Sequence, residues 1–143
     1  MSFETLEEIV EAYSISEGQQ KEMFDYSRKL GIECISTPFA KKEVDFLVDE
    51  LDVPFIKIAS MDLNNYPFLE YVAKKDKPIV LSTGLSELHE IDKAIHTIEG
   101  TGNDRLVILH CVAIYPTPDE YVNLNNIDTL QKLYPFLQYN LLS

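Results

Sequence analysis

Phe55-Ile56-Lys57-Ile58-Ala59-Ser60 places one charged residue inside an apolar run of strand length, entered from Pro54. Successive side chains of a strand point to opposite faces, so Lys57 faces away from Ile56 and Ile58. An Ile-rich run with so little polar alternation reads as a strand buried on both faces, as in a parallel sheet. Three further runs share this character: Ile32-Glu33-Cys34-Ile35-Ser36-Thr37, Pro78-Ile79-Val80-Leu81-Ser82-Thr83-Gly84 and Leu106-Val107-Ile108-Leu109-His110-Cys111.

Between these runs the apolar period changes to that of helices. Ser16 and Gln19 form a capping box ahead of Met23, Phe24 and Leu30, and Gly31 sits where a helix ends in the left-handed conformation. Val44, Leu47, Val48 and Leu51 share one helix face. Asn65 caps a helix bearing Pro67, Phe68, Leu69 and Val72, and Ser86 caps one bearing Leu88, Ile91, Ala94, Ile95 and Ile98. Ile127, Leu130 and Leu133 mark a last short helix before Pro135, and Glu4 to Tyr13 is a further amphipathic segment. Regular alternation of strand and helix predicts an α/β fold with parallel strands joined by crossovers. No Gly-x-Gly-x-x-Gly follows the first run, which argues against a dinucleotide-binding fold. No linker divides the 143 residues.

The composition, 45% hydrophobic with a formal net charge of −12, supports a packed core and disfavours nucleic acid or anionic membrane as a partner. Cys34 and Cys111 lie in or beside apolar runs and are expected to be reduced and buried, as in a cytoplasmic protein. Met1-Ser2-Phe3-Glu4 leads into charged helical sequence rather than a signal peptide, and no apolar run approaches the roughly 20 residues that span a bilayer.

The ends of the strands carry the chemistry: Ser36-Thr37-Pro38-Phe39, Ser60, Ser82-Thr83-Gly84 and His110-Cys111. Parallel strands of a barrel present these ends on one rim, where active sites are built. Lys57 must reach water or an anion, because an unpaired buried charge is costly. It reads as an anion ligand, or as an amine of depressed pKa suited to Schiff-base chemistry. The hydroxyls of Thr37, Ser60 and Ser82 suit a phosphate or carboxylate beside it. Asp62 is a candidate acid or base, or the start of a helix. His110 and Cys111 are adjacent on a strand and so face opposite sides, which disfavours a Cys-His pair. His110 is expected in a core or supporting role. His89 and His96 lie on a helix and face solvent or pack. Tyr115, beside Pro116-Thr117-Pro118, is placed to hydrogen-bond a substrate from the loop after the last run.

Taken in order, Ser36-Thr37-Pro38-Phe39, Lys57-Ile58-Ala59-Ser60, Pro78 to Gly84, Leu109-His110-Cys111 and Tyr115-Pro116-Thr117-Pro118 resemble the sialic acid synthases and their relatives for legionaminic acid, pseudaminic acid and spore-coat sugars. The resemblance runs from about Glu17 to Pro135. It implies a (β/α)8 TIM barrel of which this chain holds about four parallel strands, the family's third to sixth. It implies condensation of phosphoenolpyruvate with an N-acyl amino sugar to a nine-carbon 2-keto acid, with a divalent metal, manganese or magnesium. Thr37, Lys57, Ser60 and Ser82 are then expected to hold phosphoenolpyruvate, and Tyr115 the sugar. Asp62 stands where the family usually has a catalytic glutamate, one carbon longer. Ala113 stands at a position commonly polar in the family.

The family's Glu-Ile-Gly and Asn-His motifs, its metal-binding histidines in Ser-Asp-His-Thr and Glu-Lys-His-Phe, and its C-terminal antifreeze-like domain have no counterpart here. Residues 1–143 are therefore expected to be an incomplete barrel domain, cut short where the seventh strand should begin, binding metal poorly and inactive alone. Two alternatives stand beside this. One is a half-barrel whose open edges pair with a second copy or with a complementing polypeptide. The other is a Schiff-base aldolase using Lys57.

Overall fold

The computed structural model describes residues 5–141. The chain divides into two compact units, residues 1–34 and 35–143. In the first, Thr5 opens α1 (Leu6–Tyr13): its hydroxyl accepts from the Glu8 amide at 3.2 Å while the Glu8 carboxylate accepts from the Thr5 amide at 3.2 Å. The expected segment from Glu4 thus has its cap at Thr5, and Glu4 lies outside the described residues. The Ser16–Gln19 box opens α2 (Glu17–Lys29) as expected, with the Ser16 amide bonded to Gln19 Oε1 at 2.8 Å. Gly31 has φ +70°, the left-handed conformation that only glycine adopts without steric cost.

Residues 32–37, expected as the first strand, are not part of the sheet. The Ile32 amide turns back to the Ser27 carbonyl at 3.0 Å, completing the end of α2, and the Ile32 side chain is 60% exposed. The Phe39 and Ala40 amides then bond Glu43 Oε2 and start α3 (Lys41–Asp45). The helix expected through Val44 and Leu51 continues as a π turn, Phe46–Glu50, in which the Leu51 amide reaches five residues back to Phe46 at 3.1 Å.

The sheet of the second unit has four parallel strands in sequence order: β1 (Ile56–Ile58), β2 (Ile79–Ser82), β3 (Leu106–His110) and β4 (Gln138–Leu141). Four strands were expected, but the set is shifted. The run at 32–37 drops out, and the tail read as stopping before a strand supplies β4; Leu142 and Ser143 lie outside the described residues. Between the strands lie α4 (Tyr66–Ala73), α5 (Leu88–Glu99) and α6 (Asn125–Leu133). Pro67 stands in the first turn of α4 as expected, and Asn65 holds the N-cap position, but its side chain makes no capping bond and its Nδ2 donates to Asp62 Oδ1 instead. At α5 the expected cap Ser86 gives way to Glu87, whose amide bonds Glu90 Oε2 at 2.9 Å, while Ser86 turns its hydroxyl to the Gly84 carbonyl.

Register sorts the side chains by face. Ile56 pairs with Ile79 and Ile79 with Leu106; Ile58 pairs with Leu81 and Leu81 with Ile108. All six are at most 3% exposed and form the core with Phe68, Leu69 and Val72 of α4 and Ile91, Ile95 and Ile98 of α5. The opposite face carries Lys57, Val80 and Val107 in one row, all half-buried, with Ser82 beside Leu109 one step on. The N-terminal ends of the strands are fastened by buried Asn103. Its Nδ2 donates to the carbonyls of Ala73 (3.2 Å) and Lys77 (2.9 Å), and its Oδ1 accepts from the Arg105 amide (3.1 Å). Cys34 and Cys111 are both free, as expected, but half-buried rather than fully enclosed. Among the described residues no helix is long and apolar enough to cross a membrane.

Candidate functional site

At the C-terminal ends of the strands the chain gathers its polar groups on the row opened by Lys57. Lys57 Nζ donates to Ser82 Oγ at 2.6 Å, across β1 and β2, and to the Ile58 carbonyl at 2.8 Å. An ammonium has three donors, so one N–H remains for a ligand. Because Ser82 Oγ accepts from lysine, its own hydrogen also remains to be donated. Burial pushes the Lys57 pKa below its ordinary value, and the electrostatic influence of nearby Cys111 partly offsets that shift.

Ser60 joins this group through the backbone. Its Oγ accepts from the Gly84 amide at 2.9 Å, which fixes the hydroxyl and leaves its hydrogen directed elsewhere. Gly84 gives Ser60 room, because a Cβ there would stand 3.0 Å from Ser60 Oγ and 3.5 Å from Cys111 Cβ and would push on the hydroxyl. The next residue, Leu85, has φ +63° and is 91% exposed, an unfavourable conformation for a γ-branched side chain at the rim. Thr83 is buried, and both its amide and its hydroxyl bond the Leu109 carbonyl, at 3.1 and 2.9 Å. It therefore locks β2 to β3 and has no hydrogen left for a ligand.

Of the expected site residues, the fold brings together Lys57, Ser60 and Ser82. No hydrogen bond ties Thr37, Asp62 or Tyr115 to them. Thr37 is half-buried ahead of buried Pro38. Asp62 closes a single 3-10 turn, Ser60–Asp62, and accepts from Asn65 Nδ2 at 3.3 Å. Tyr115 is 82% exposed in the loop after β3. Gly84 and Cys111, expected on the rim as strand ends but given no ligand role, also belong to the cluster. Gly84 had a signal in the sequence, as the glycine directly following a Ser-Thr strand end. Cys111 also lines a cavity of about 500 Å3 with Thr83, Ser86, Ile91, His110 and Leu130 among others. His89 and His96 are exposed on α5, as expected.

The described residues do not fit a divalent metal: among them no three of His, Cys, Asp and Glu are grouped to hold an ion. What the cluster can do is grip a small anion, with one ammonium and two hydroxyl donors presented on a sheet whose strands carry no acidic residue.

Residues 1–139 match the family model described as the NeuB family. The chain belongs to the NeuB family. An uncharacterized protein of Methanocaldococcus jannaschii is 46% identical to this NeuB-family chain over 127 residues, 89% of this chain and 37% of the relative. The N,N'-diacetyllegionaminic acid synthase of Legionella pneumophila is 36% identical, over 86% of this chain and 35% of the enzyme. The crystal structure of N-acetylneuraminic acid synthetase from Leptospira borgpetersenii, in complex with citrate, superposes with a TM-score of 0.85 at 27% identity, covering 97% of this chain and 48% of that one. The NeuB-family chain thus spans between about a third and a half of the relatives it matches.

Proposed function

We propose that this chain is the phosphoenolpyruvate-holding part of a (β/α)8-barrel synthase that joins phosphoenolpyruvate to an N-acyl amino sugar, giving a nine-carbon 2-keto acid and phosphate. The observation that carries the reading is the Lys57–Ser82 bond of 2.6 Å, which holds a partly desolvated ammonium on the sheet face opposite the helix-packed core. In a barrel that face turns inward. Phosphoenolpyruvate offers two anionic groups to one ammonium and two hydroxyls, and the relatives named for sialic and legionaminic acid synthesis support the sugar class. Thr37, which lies outside the sheet, and Asp62, in the 3-10 turn after β1, complete the set in this reading, with Tyr115 toward the sugar. A divalent metal would be held by groups other than the described residues, and the reading asks of this chain that it bind phosphoenolpyruvate.

Calorimetric titration tests this. Saturable binding of phosphoenolpyruvate at millimolar concentration, tighter than that of pyruvate, is the expected result; no saturable binding overturns it. The lowered pKa of Lys57 favours a second reading, Schiff-base formation with a 2-oxo acid. Borohydride reduction in the presence of pyruvate separates the two, because only the second leaves a covalent adduct on Lys57.

A further inference from the structure

His110 ends β3 on the face opposite Lys57, where it is 8% exposed and touches none of the anion-holding groups by hydrogen bond. Its ring contact is to the Val122 carbonyl, twelve residues along the chain, at 2.8 Å from Nε2. A carbonyl only accepts, so Nε2 carries the hydrogen, which fixes the tautomer. The bond closes residues 111–122 into a loop whose two ends are held by the same strand terminus. Within the loop, the Thr117 hydroxyl donates to the Ile114 carbonyl at 2.6 Å. A 3-10 turn, Asp119–Tyr121, precedes Val122, with the Tyr121 amide bonded to Pro118 and the Val122 amide to Asp119. Tyr115 lies within the turn closed by the Thr117–Ile114 bond and is 82% exposed.

We infer that His110 is a positioning residue: by clasping Val122 it holds loop 111–122 closed and presents Tyr115 to the sugar. This rests on the proposed function for the identity of what Tyr115 meets, but not for the clasp. The physical case is entropic. A loop of this length fixed at one end samples many conformations, and a partly buried hydrogen bond at the other end removes many of them. The bond joins a side chain rooted in the sheet to a backbone carbonyl, so the sequence of the intervening loop is free to vary while its span is kept. His110 also lines the 500 Å3 cavity with Thr129 and Leu130 of α6, so the clasp sits between the sheet and the next helix.

Amide hydrogen exchange on the ligand-free chain tests the clasp, with the Tyr121 and Val122 amides as reporters. His110→Ala is expected to speed their exchange by about tenfold or more while amides of β1 and β2 keep wild-type rates. His110→Gln, which places an amide N–H near the position of Nε2, is expected to restore most of the protection. Unchanged exchange at Tyr121 and Val122 in His110→Ala overturns the inference. So does a uniform rise across the sheet, which marks a general core residue, and so does a Gln variant no better than Ala. A second measurement reads the positioning itself. In saturation-transfer NMR with N-acetylmannosamine, His110→Ala should weaken the sugar signal and leave phosphoenolpyruvate affinity within about twofold of wild type. Equal loss of both ligands, or of neither, overturns it. The exchange experiment contains no ligand, so a failure of the phosphoenolpyruvate reading leaves its outcome untouched.

Discussion

Replacing Lys57 with methionine removes the one cation of the strand-end cluster while keeping an unbranched side chain of similar reach. A unit negative charge about 4 Å from Nζ is attracted by roughly 4 kcal/mol at an effective dielectric near 20. Lys57 is only half-buried, so solvent screening cuts this to about 2–3 kcal/mol. Phosphoenolpyruvate affinity should then fall by about 30- to 150-fold, and the difference should narrow as salt is raised. Isothermal titration of both proteins at two ionic strengths is the assay. A loss under about threefold, below ~0.7 kcal/mol, refutes Lys57 as the anion ligand.

Stability moves differently under the same substitution. The folded-state pKa of Lys57 lies below its unfolded value of 10.5 because burial disfavours the ammonium. The unfolded chain therefore binds that proton more tightly, and the charge opposes folding at neutral pH. As pH rises through the depressed pKa toward 10.5 this opposition fades. Wild type should gain stability relative to Lys57→Met across that window, as measured by urea unfolding at a series of pH values. A gap that widens against wild type as pH rises would contradict the sign.

Three further substitutions probe the frame. Gly84→Ala sets a Cβ 3.0 Å from Ser60 Oγ and should displace the hydroxyl from the Gly84 amide, weakening phosphoenolpyruvate binding by about 1 kcal/mol in the same titration. Asn103→Ala leaves the Lys77 carbonyl and the Arg105 amide unpaired at the opposite strand ends, while the Ala73 carbonyl keeps its bond from the Asp76 amide. It should lower unfolding free energy by about 2–3 kcal/mol in urea and leave ligand affinity unchanged. Leu81→Ala, at a position 0% exposed, should cost about 3 kcal/mol in the same unfolding experiment.

Local chemistry was legible in the sequence wherever neighbours along the chain decide the outcome. The Ser16–Gln19 box, the left-handed Gly31 and the Asn65–Pro67 helix start all depend on residues within a turn of one another. The alternation of faces around Lys57 follows from the pleat alone. Pairing was not legible, because it is settled at a distance. The Ile-rich run at 32–37 has strand composition, yet its first amide is taken by Ser27 and no strand lies against it. Gln138–Leu141 has little of the composition of a buried strand, yet the open edge of β3 recruits it. At the site, Lys57, Ser60 and Ser82 announced themselves by residue type. Gly84 and Cys111 were legible as strand ends, but their close approach was not, because it appears only when two strand ends meet.

The 2.6 Å bond between Lys57 and Ser82 spans two strands whose sequence positions are 25 residues apart. An anion seated on Lys57 and Ser82 would therefore touch β1 and β2 at once, and any opening of that ladder would have to expel it. Occupancy and fold become thermodynamically linked. At a ligand concentration a hundredfold above its dissociation constant, unfolding is made harder by about 2.7 kcal/mol. The substrate so placed acts as a removable rivet in the sheet, and the melting temperature of the chain becomes a gauge of how full the site is.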